Sequence, residues 1–179
     1  MFCETFRRIK VSKLSKNCEF GIIKMSNAHI QFSERKSDVD FEQLRELFKI
    51  AAFWASERST EDLSIAVANS EPVITVKDGE RLIGFARATS DGIYRATIWD
   101  VVIHPDYRSQ GLGSKLVETV LSHPKVNRVE RTYLMTTHRQ GFYEKIGFEK
   151  NSTTTMVIYN QSQFNSLQSS VQFQELLGG

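Results

Sequence analysis

Three strand-like runs follow one another between Val73 and Ile103, separated only by Asp78-Gly79 and Ser90-Asp91-Gly92. Val73-Ile74-Thr75-Val76 is β-branched throughout, and Arg81 to Thr89 alternates, as does Arg95 to Ile103. Strands joined by turns this short can only be antiparallel neighbours, so the middle of the chain is an antiparallel meander. Within the second run Leu82, Gly84, Ala86 and Ala88 share one parity, and Ile83, Phe85 and Arg87 the other. Strict alternation predicts that these two sets face opposite sides of a sheet.

The flanking segments change period. His29 to Ser33 reads as a short first strand. Ser37 or Asp38 is expected to open a helix carrying Phe41, Leu44, Leu47 and Phe48 on one stripe. Ser59 or Thr60 caps a second helix, with Leu63, Ala66 and Val67 on its apolar side, and Asn69 to Pro72 ends it. After Pro105 a loop leads into a helix with Leu112, Leu116, Val117, Val120 and Leu121 inward, stopped by His123-Pro124. Residues 128–135 are expected as a strand, 140–146 as a short helix ended by Gly147, and 153–159 as a last strand. The order is β-α-α-β-β-β-α-β-α-β, an α+β class with a mostly antiparallel sheet.

A chain of 179 residues fits one domain. We divide it into a basic N-terminal arm (1–28), a folded domain (29–161) and a Gln/Ser-rich polar tail (162–179) with a weak helix pattern at 172–177. The net charge of +2 hides an asymmetry: the arm carries six cations against Glu4 and Glu19, so the rest of the chain sums to −2. The arm reads either as a targeting segment or as a tail on a bacterial protein. The core has no basic stripe interleaved with aromatics, the footing nucleic acid needs. No apolar run approaches the ~20 residues of a membrane span. Cys3 and Cys18 both lie in the arm, and no Cys/His spacing points to a metal, so a reducing compartment is the simplest reading.

The segment that carries chemistry runs Asp100-Val-Val-Ile-His-Pro-Asp-Tyr-Arg108-Ser-Gln-Gly111-Leu-Gly113-Ser-Lys115. A buried strand enters a loop with two glycines one residue apart, and a helix starts at once. Consecutive backbone N–H groups there form a concave anion site in front of a helix N-terminus. Ser114 adds a hydroxyl donor, and Arg108 and Lys115 add positive charge. A P-loop needs Gly-x-x-x-x-Gly-Lys-Ser/Thr, which is absent, and a dinucleotide fingerprint needs glycine at position 116, which is Leu.

Arg-x-x-Gly-x-Gly between a strand and a helix resembles motif A of the GNAT superfamily of N-acetyltransferases, whose loop grips the pyrophosphate of acetyl-CoA. Gln140-Gly-Phe-Tyr143-Glu-Lys-Ile-Gly147-Phe148 resembles that family's second signature, in which a Tyr on a short helix precedes Gly-Phe and points at the cofactor sulfur. The resemblance spans about residues 30–160. The runs from Gly84 to Ile103 and from Tyr133 to Gln140 are similar to the cyanobacterial and plastid subgroup, whose relatives acetylate arylalkylamines such as serotonin and protein amines.

That resemblance implies acetyl-CoA as cosubstrate. It would be held by the backbone of Val101, Val102 and Ile103, the loop residues Arg108, Ser109, Gln110, Gly111, Leu112, Gly113 and Ser114, and Thr136, which stands where many relatives carry Asn or Asp. Tyr143 is the expected general acid for the departing thiolate. The base is less defined, because Thr97 and Trp99 occupy positions where several GNAT enzymes place Glu or His. Asp100 is the only carboxylate on the strand and needs a bulge to re-aim it, or else it is a strand anchor. His138 and ordered water are the alternatives, and His104 before Pro105 reads as loop structure.

The acceptor side falls to the segment between the first two helices. Phe53 and Trp54, with Phe85 and Trp99, would line a pocket suited to an arylalkylamine, or else they are core. A protein N-terminus or lysine is the second acceptor, and a non-catalytic acetyl-CoA-binding module the third reading. The implied setting is the cytoplasm of a cyanobacterium or the plastid stroma, as monomer or homodimer, with no metal, nucleic acid or membrane partner.

Overall fold

The computed structural model describes residues 29–153 and 155–158. The arm 1–28, with its cysteines, and the tail 162–179, with its helical pattern, lie outside the described residues. Five strands form one sheet in chain order: β1 (Ile30–Ser33), β2 (Val73–Asp78), β3 (Arg81–Ser90), β4 (Arg95–Ile103) and β5 (Arg131–Tyr133). The first four are antiparallel, and β4 and β5 are parallel.

Helix α1 (Phe41–Ala51) starts two residues later than its sequence suggests. Asp40 is the cap, its side chain accepting from the N–H groups of Glu42 and Gln43. Asp38 is taken by Ser33 and Arg35 instead, and residues Lys36–Asp38 make a 3-10 turn. Ser59 caps α2 (Thr60–Ala68) by accepting from Asp62 N–H. Helix α3 (Leu112–Ser122) begins at the glycine loop, and α4 (Gln140–Glu144) runs toward Gly147, whose φ of 103° is left-handed.

The sheet is buried on both faces. Leu44, Leu47 and Phe48 of α1 and Leu63 and Val67 of α2 cover one side, against Leu82, Phe85 and Val102. Leu116, Val117 and Val120 of α3 cover the other, against Ile74, Ile83, Ala86 and Ile98. Every residue from Leu82 to Ala86 is therefore buried, and the simple two-parity reading of β3 fails there. A register shift near Val76 puts Leu82 and Phe85, an odd spacing, on the same face. Phe85 is 1% exposed and packs edge-on against Phe48 at 5.9 Å, so it belongs to the core and not to an acceptor pocket.

The last expected strand does not form among the described residues. Residues 155–158 pair with nothing, and Met156 and Ile158 are 90% and 91% exposed. β-branched composition favours a strand only where an edge offers a ladder and a surface to cover. The neighbouring edge, β5, is three residues long instead of the eight expected.

Candidate active site

Strand β4 supplies the site with an open edge. Its parallel ladder with β5 stops at Thr97↔Tyr133, so from Trp99 to Ile103 the side of β4 toward β5 has no strand partner among the described residues. The ladder on the other side of β4 is irregular at the same level. Arg87 pairs with Trp99 and Phe85 with Val102, so Ala86 alone faces both Asp100 and Val101. This is a bulge, and Asp100 sits in it at φ 55°, a conformation rare for a residue with a side chain.

The Asp100 carboxylate is 5% exposed and fully engaged. One oxygen lies 2.9 Å from Arg58 Nη1 and the other 2.7 Å from Arg87 Nε. Arg87 also donates to Ser70 Oγ at 3.0 Å and lies over the Trp99 ring. The bulge expected as the condition for a catalytic Asp100 is present, but it turns the carboxylate into a double ion pair. With each oxygen held by a guanidinium, Asp100 anchors the bulge instead of taking a proton from an amine. Arg58 and Arg87 were not singled out from the sequence as functional. The available signal was Arg87 itself, a cation in an otherwise buried strand, which needs a partner.

Past Ile103 the chain turns through a 3-10 turn (Pro105–Tyr107) into the glycine loop. His104 is 7% exposed. Its Nδ1 accepts from Asp106 N–H, and its Nε2 lies 2.8 Å from Arg81, so it is a structural residue as expected. Ser109 (φ 63°) and Gly111 (φ 79°) are both left-handed and alternate with Gln110. Such alternation points successive N–H groups into one concavity. The N–H groups of residues 109–114 have no acceptor among the described residues, whereas Arg108 N–H bonds to Pro105 and Lys115 N–H to Gly111. The concavity is a fit for a diphosphate, with the α3 N-terminus behind it. A cavity of about 160 Å³ adjoins it, lined by Ile30, Phe32, Gln110, Gly111, Leu112 and Lys115.

Two of the expected ligands have only their backbone to offer. The side chains of Val102 and Leu112 are 3% and 5% exposed and belong to the core, one on each face of the sheet. The side chain of Arg108 is a correction: its Nε donates to the Ile103 carbonyl and its Nη2 to the Ala51 carbonyl at 3.4 Å, so it is not aimed into the loop. It ties the glycine loop to the end of α1. Lys115 Nζ lies over the Phe32 ring at 4.5 Å, and Gln110 braces the loop on the Asp106 carbonyl. Thr136 Oγ1 accepts from Arg139 N–H ahead of α4.

Helix α4 is held against the loop. A Cβ on Gly113 would stand 3.4 Å from the Phe142 ring, so the α3 N-terminus and α4 are in van der Waals contact. Tyr143 follows, edge-on to Phe142 at 4.9 Å and to Phe148 at 5.9 Å. Its hydroxyl has no hydrogen-bond partner among the described residues, and burial raises the phenol's pKa above its ordinary value. His138 is exposed at the start of this segment.

The profile of the "Acetyltransferase (GNAT) family" matches residues 41–148, from α1 to the residue after Gly147. This chain is a GNAT acetyltransferase. Its GNAT relatives include the uncharacterized N-acetyltransferase ycf52 of Pyropia yezoensis, 33% identical over 147 residues that are 79% of this chain and 80% of the relative. The chloroplastic GCN5-related N-acetyltransferase 1 of Arabidopsis thaliana is 32% identical over 113 residues, 62% of this chain and 56% of its own. A GNAT-family crystal structure from Xanthomonas campestris superposes with a TM-score of 0.65 at 25% identity, over 73% of this chain and 94% of that one. These relatives establish the plastid and cyanobacterial GNAT subgroup and its five-stranded mixed sheet, and with them N-acetyltransferase activity. GNAT enzymes take acetyl-CoA as cosubstrate, and the N–H concavity at 109–114 is suited to its pyrophosphate.

Gly111→Val is expected to weaken acetyl-CoA binding at least tenfold, about 1.4 kcal/mol. A Cβ at Gly111 meets no protein atom within 4 Å, so it clashes with nothing in the fold and stands in the open space at the loop where the diphosphate is expected. The left-handed φ adds a stability cost of about 1–2 kcal/mol. Calorimetric titration alongside a melting curve separates the two, and unchanged affinity in the folded variant would remove the loop from the binding site.

Proposed function

We propose that this chain transfers the acetyl group of acetyl-CoA to a primary amine, with arylalkylamines such as tryptamine or serotonin as the preferred acceptors. Acetyl-CoA supplies an activated thioester carbonyl. The loop N–H groups at 109–114 hold its diphosphate, and the free edge of β4 at Val101 to Ile103 aligns its amide-bearing arm. A β4 N–H donates to the oxyanion, and Tyr143 protonates the leaving thiolate. An alkylamine arrives protonated, with a pKa near ~10 when free, so the rate rises with pH until the docked amine is neutral.

The observation that carries the acceptor class is the Phe53–Trp54 pair. These rings are 62% and 50% exposed, packed edge-on at 5.3 Å, in the 3-10 turn after α1. The turn is tied to the reaction gap twice: Arg108 bridges Ala51 to Ile103, and Arg58 bridges the following loop to Asp100. Aromatic surface of this kind suits an indole. Trp99, by contrast, has its Nε1 on Thr89 Oγ1 and its face on Arg87.

Comparing kcat/KM for tryptamine, butylamine and a lysine peptide tests this. Each aromatic contact contributes roughly 0.5–1.5 kcal/mol beyond burial, so tryptamine should exceed butylamine by about tenfold. Trp54→Ala should lose most of that ratio. A peptide faster by tenfold, with tryptamine equal to butylamine, would replace this reading with the second one, a protein acetyltransferase. A soybean relative, named Histone acetyltransferase TAP1, favours that second reading; it is 42% identical over 71 residues, 39% of this chain and 31% of its own. For location, the chloroplastic relatives support a plastid compartment, which fractionation of a tagged protein checks. No helix among the described residues is long and apolar enough to cross a membrane.

A further inference from the structure

Strand β4 bears no side chain able to act as base toward the gap: Thr97 and Trp99 cannot accept a proton near neutral pH, and Asp100 is ion-paired on both oxygens. His104 is buried against Arg81. Yet an alkylammonium must lose a proton before it can attack.

The charges around Asp100 supply another route. Two guanidinium groups, Arg58 and Arg87, meet a single carboxylate, an excess of one positive charge. Arg108 adds a third guanidinium at the end of α1. Asp100 is the only acidic group within ion-pair distance of any of the three among the described residues. The groups facing Arg58 are the Phe48 ring of α1, Asp100 of β4 and, through Asp100, Arg87 of β3. On its own loop Glu57 accepts from Ser56 Oγ, and Asp62 of α2 from Ser59 Oγ. The acids and bases of α1 pair among themselves, Arg45 with Glu42 and Lys49 with Glu46. Arg58 is 36% exposed, on the loop that follows Phe53 and Trp54, the side from which the acceptor is proposed to enter.

We propose that Arg58 makes the docked acceptor amine shed its proton, taking the place of a side-chain base. A like charge near the amine disfavours the ammonium form. The ammonium gives its proton to water, and the neutral nitrogen attacks the thioester carbonyl. The C–N bond forms, the second N–H proton leaves to water, and the C–S bond breaks as Tyr143 gives its proton to sulfur. Tyr143 is then reprotonated from solvent. The net change is one amide, one thiol and one released proton. This inference rests on the acceptor entry side proposed above.

The test is the single-turnover transfer rate against pH, on enzyme preloaded with acetyl-CoA and saturated with tryptamine. Wild type should show an apparent pKa at least one unit below that of free tryptamine. Arg58→Gln should move it up by about one unit, a roughly tenfold slower rate at pH 7 that narrows to about twofold near pH 10. Arg58→Lys, keeping the charge, should restore most of the rate at pH 7. An arylamine acceptor, already unprotonated at pH 7, should lose less than threefold in Arg58→Gln. A wild-type pKa equal to that of the free amine would overturn the inference, as would an Arg58→Gln rate lowered by one factor at all pH values and for both amines. The acceptor reading fails separately, in the substrate ranking: if a lysine peptide is the better acceptor, the same pH comparison is made with it.

Discussion

Tyr143→Phe is expected to lower kcat by about 10²–10⁴, with acetyl-CoA affinity held within a few fold. The ring stays, so its edge contacts with Phe142 and Phe148 stay, and α4 keeps its place against the phosphate loop. Only the hydroxyl is lost, and no described residue depends on it for a hydrogen bond. The variant should therefore melt within about 1 kcal/mol of wild type. The raised pKa has a definite sign for the reaction. A phenol pushed above its ordinary value of about 10 remains protonated across the range where the amine loses its proton. Rate should climb with pH through the neutral region, and any loss from Tyr143 ionisation should begin only above pH 10. A Phe variant with wild-type kcat, or a wild-type rate that falls between pH 8 and 9, would return Tyr143 to a packing role.

Asp100→Asn is expected to destabilise the fold by about 3 kcal/mol, the lower end of what removing one partner of a buried ion pair costs. The lower end applies because Arg58 is 36% exposed and partly screened, whereas Arg87 is 15% exposed. Asparagine tolerates the left-handed φ of 55° and keeps the size, so backbone strain does not confuse the result. What changes is charge: two guanidinium groups are left facing each other across a neutral amide. The melting temperature should drop by roughly 6–12 °C for a chain of this length. Arg87→Gln should cost more than Arg58→Gln, because its guanidinium also serves Ser70 and is deeper. A melting temperature within 2 °C of wild type would mean that the bulge is held by packing alone.

Elements under the control of local rules were legible from residue order alone. The meander from Val73 to Ile103 follows from β-branched runs and two tight turns, and Leu112 to Ser122 is a helix by periodicity. The glycine loop was legible because Gly111 and its neighbours restrict what the backbone can do there, whatever surrounds it. Tyr143 was legible only through the resemblance of Gln140 to Phe148 to the GNAT family's second signature, with a short helix and a glycine at its end as the local pattern.

Tertiary structure decided whatever depends on a partner far along the chain. Asp100 reads as a candidate base until Arg58, 42 residues away, and Arg87 close on both its oxygens. Arg108 reads as a phosphate ligand until the carbonyls of Ala51 and Ile103 come within its reach. Phe85 and Phe53 look alike in sequence, but one faces a helix-covered sheet and the other solvent. The strand expected at 153–159 had the right composition, but its described residues 155–158 found no ladder among the described residues. In each case the deciding energy is desolvation or ion pairing between distant segments, which no local window contains.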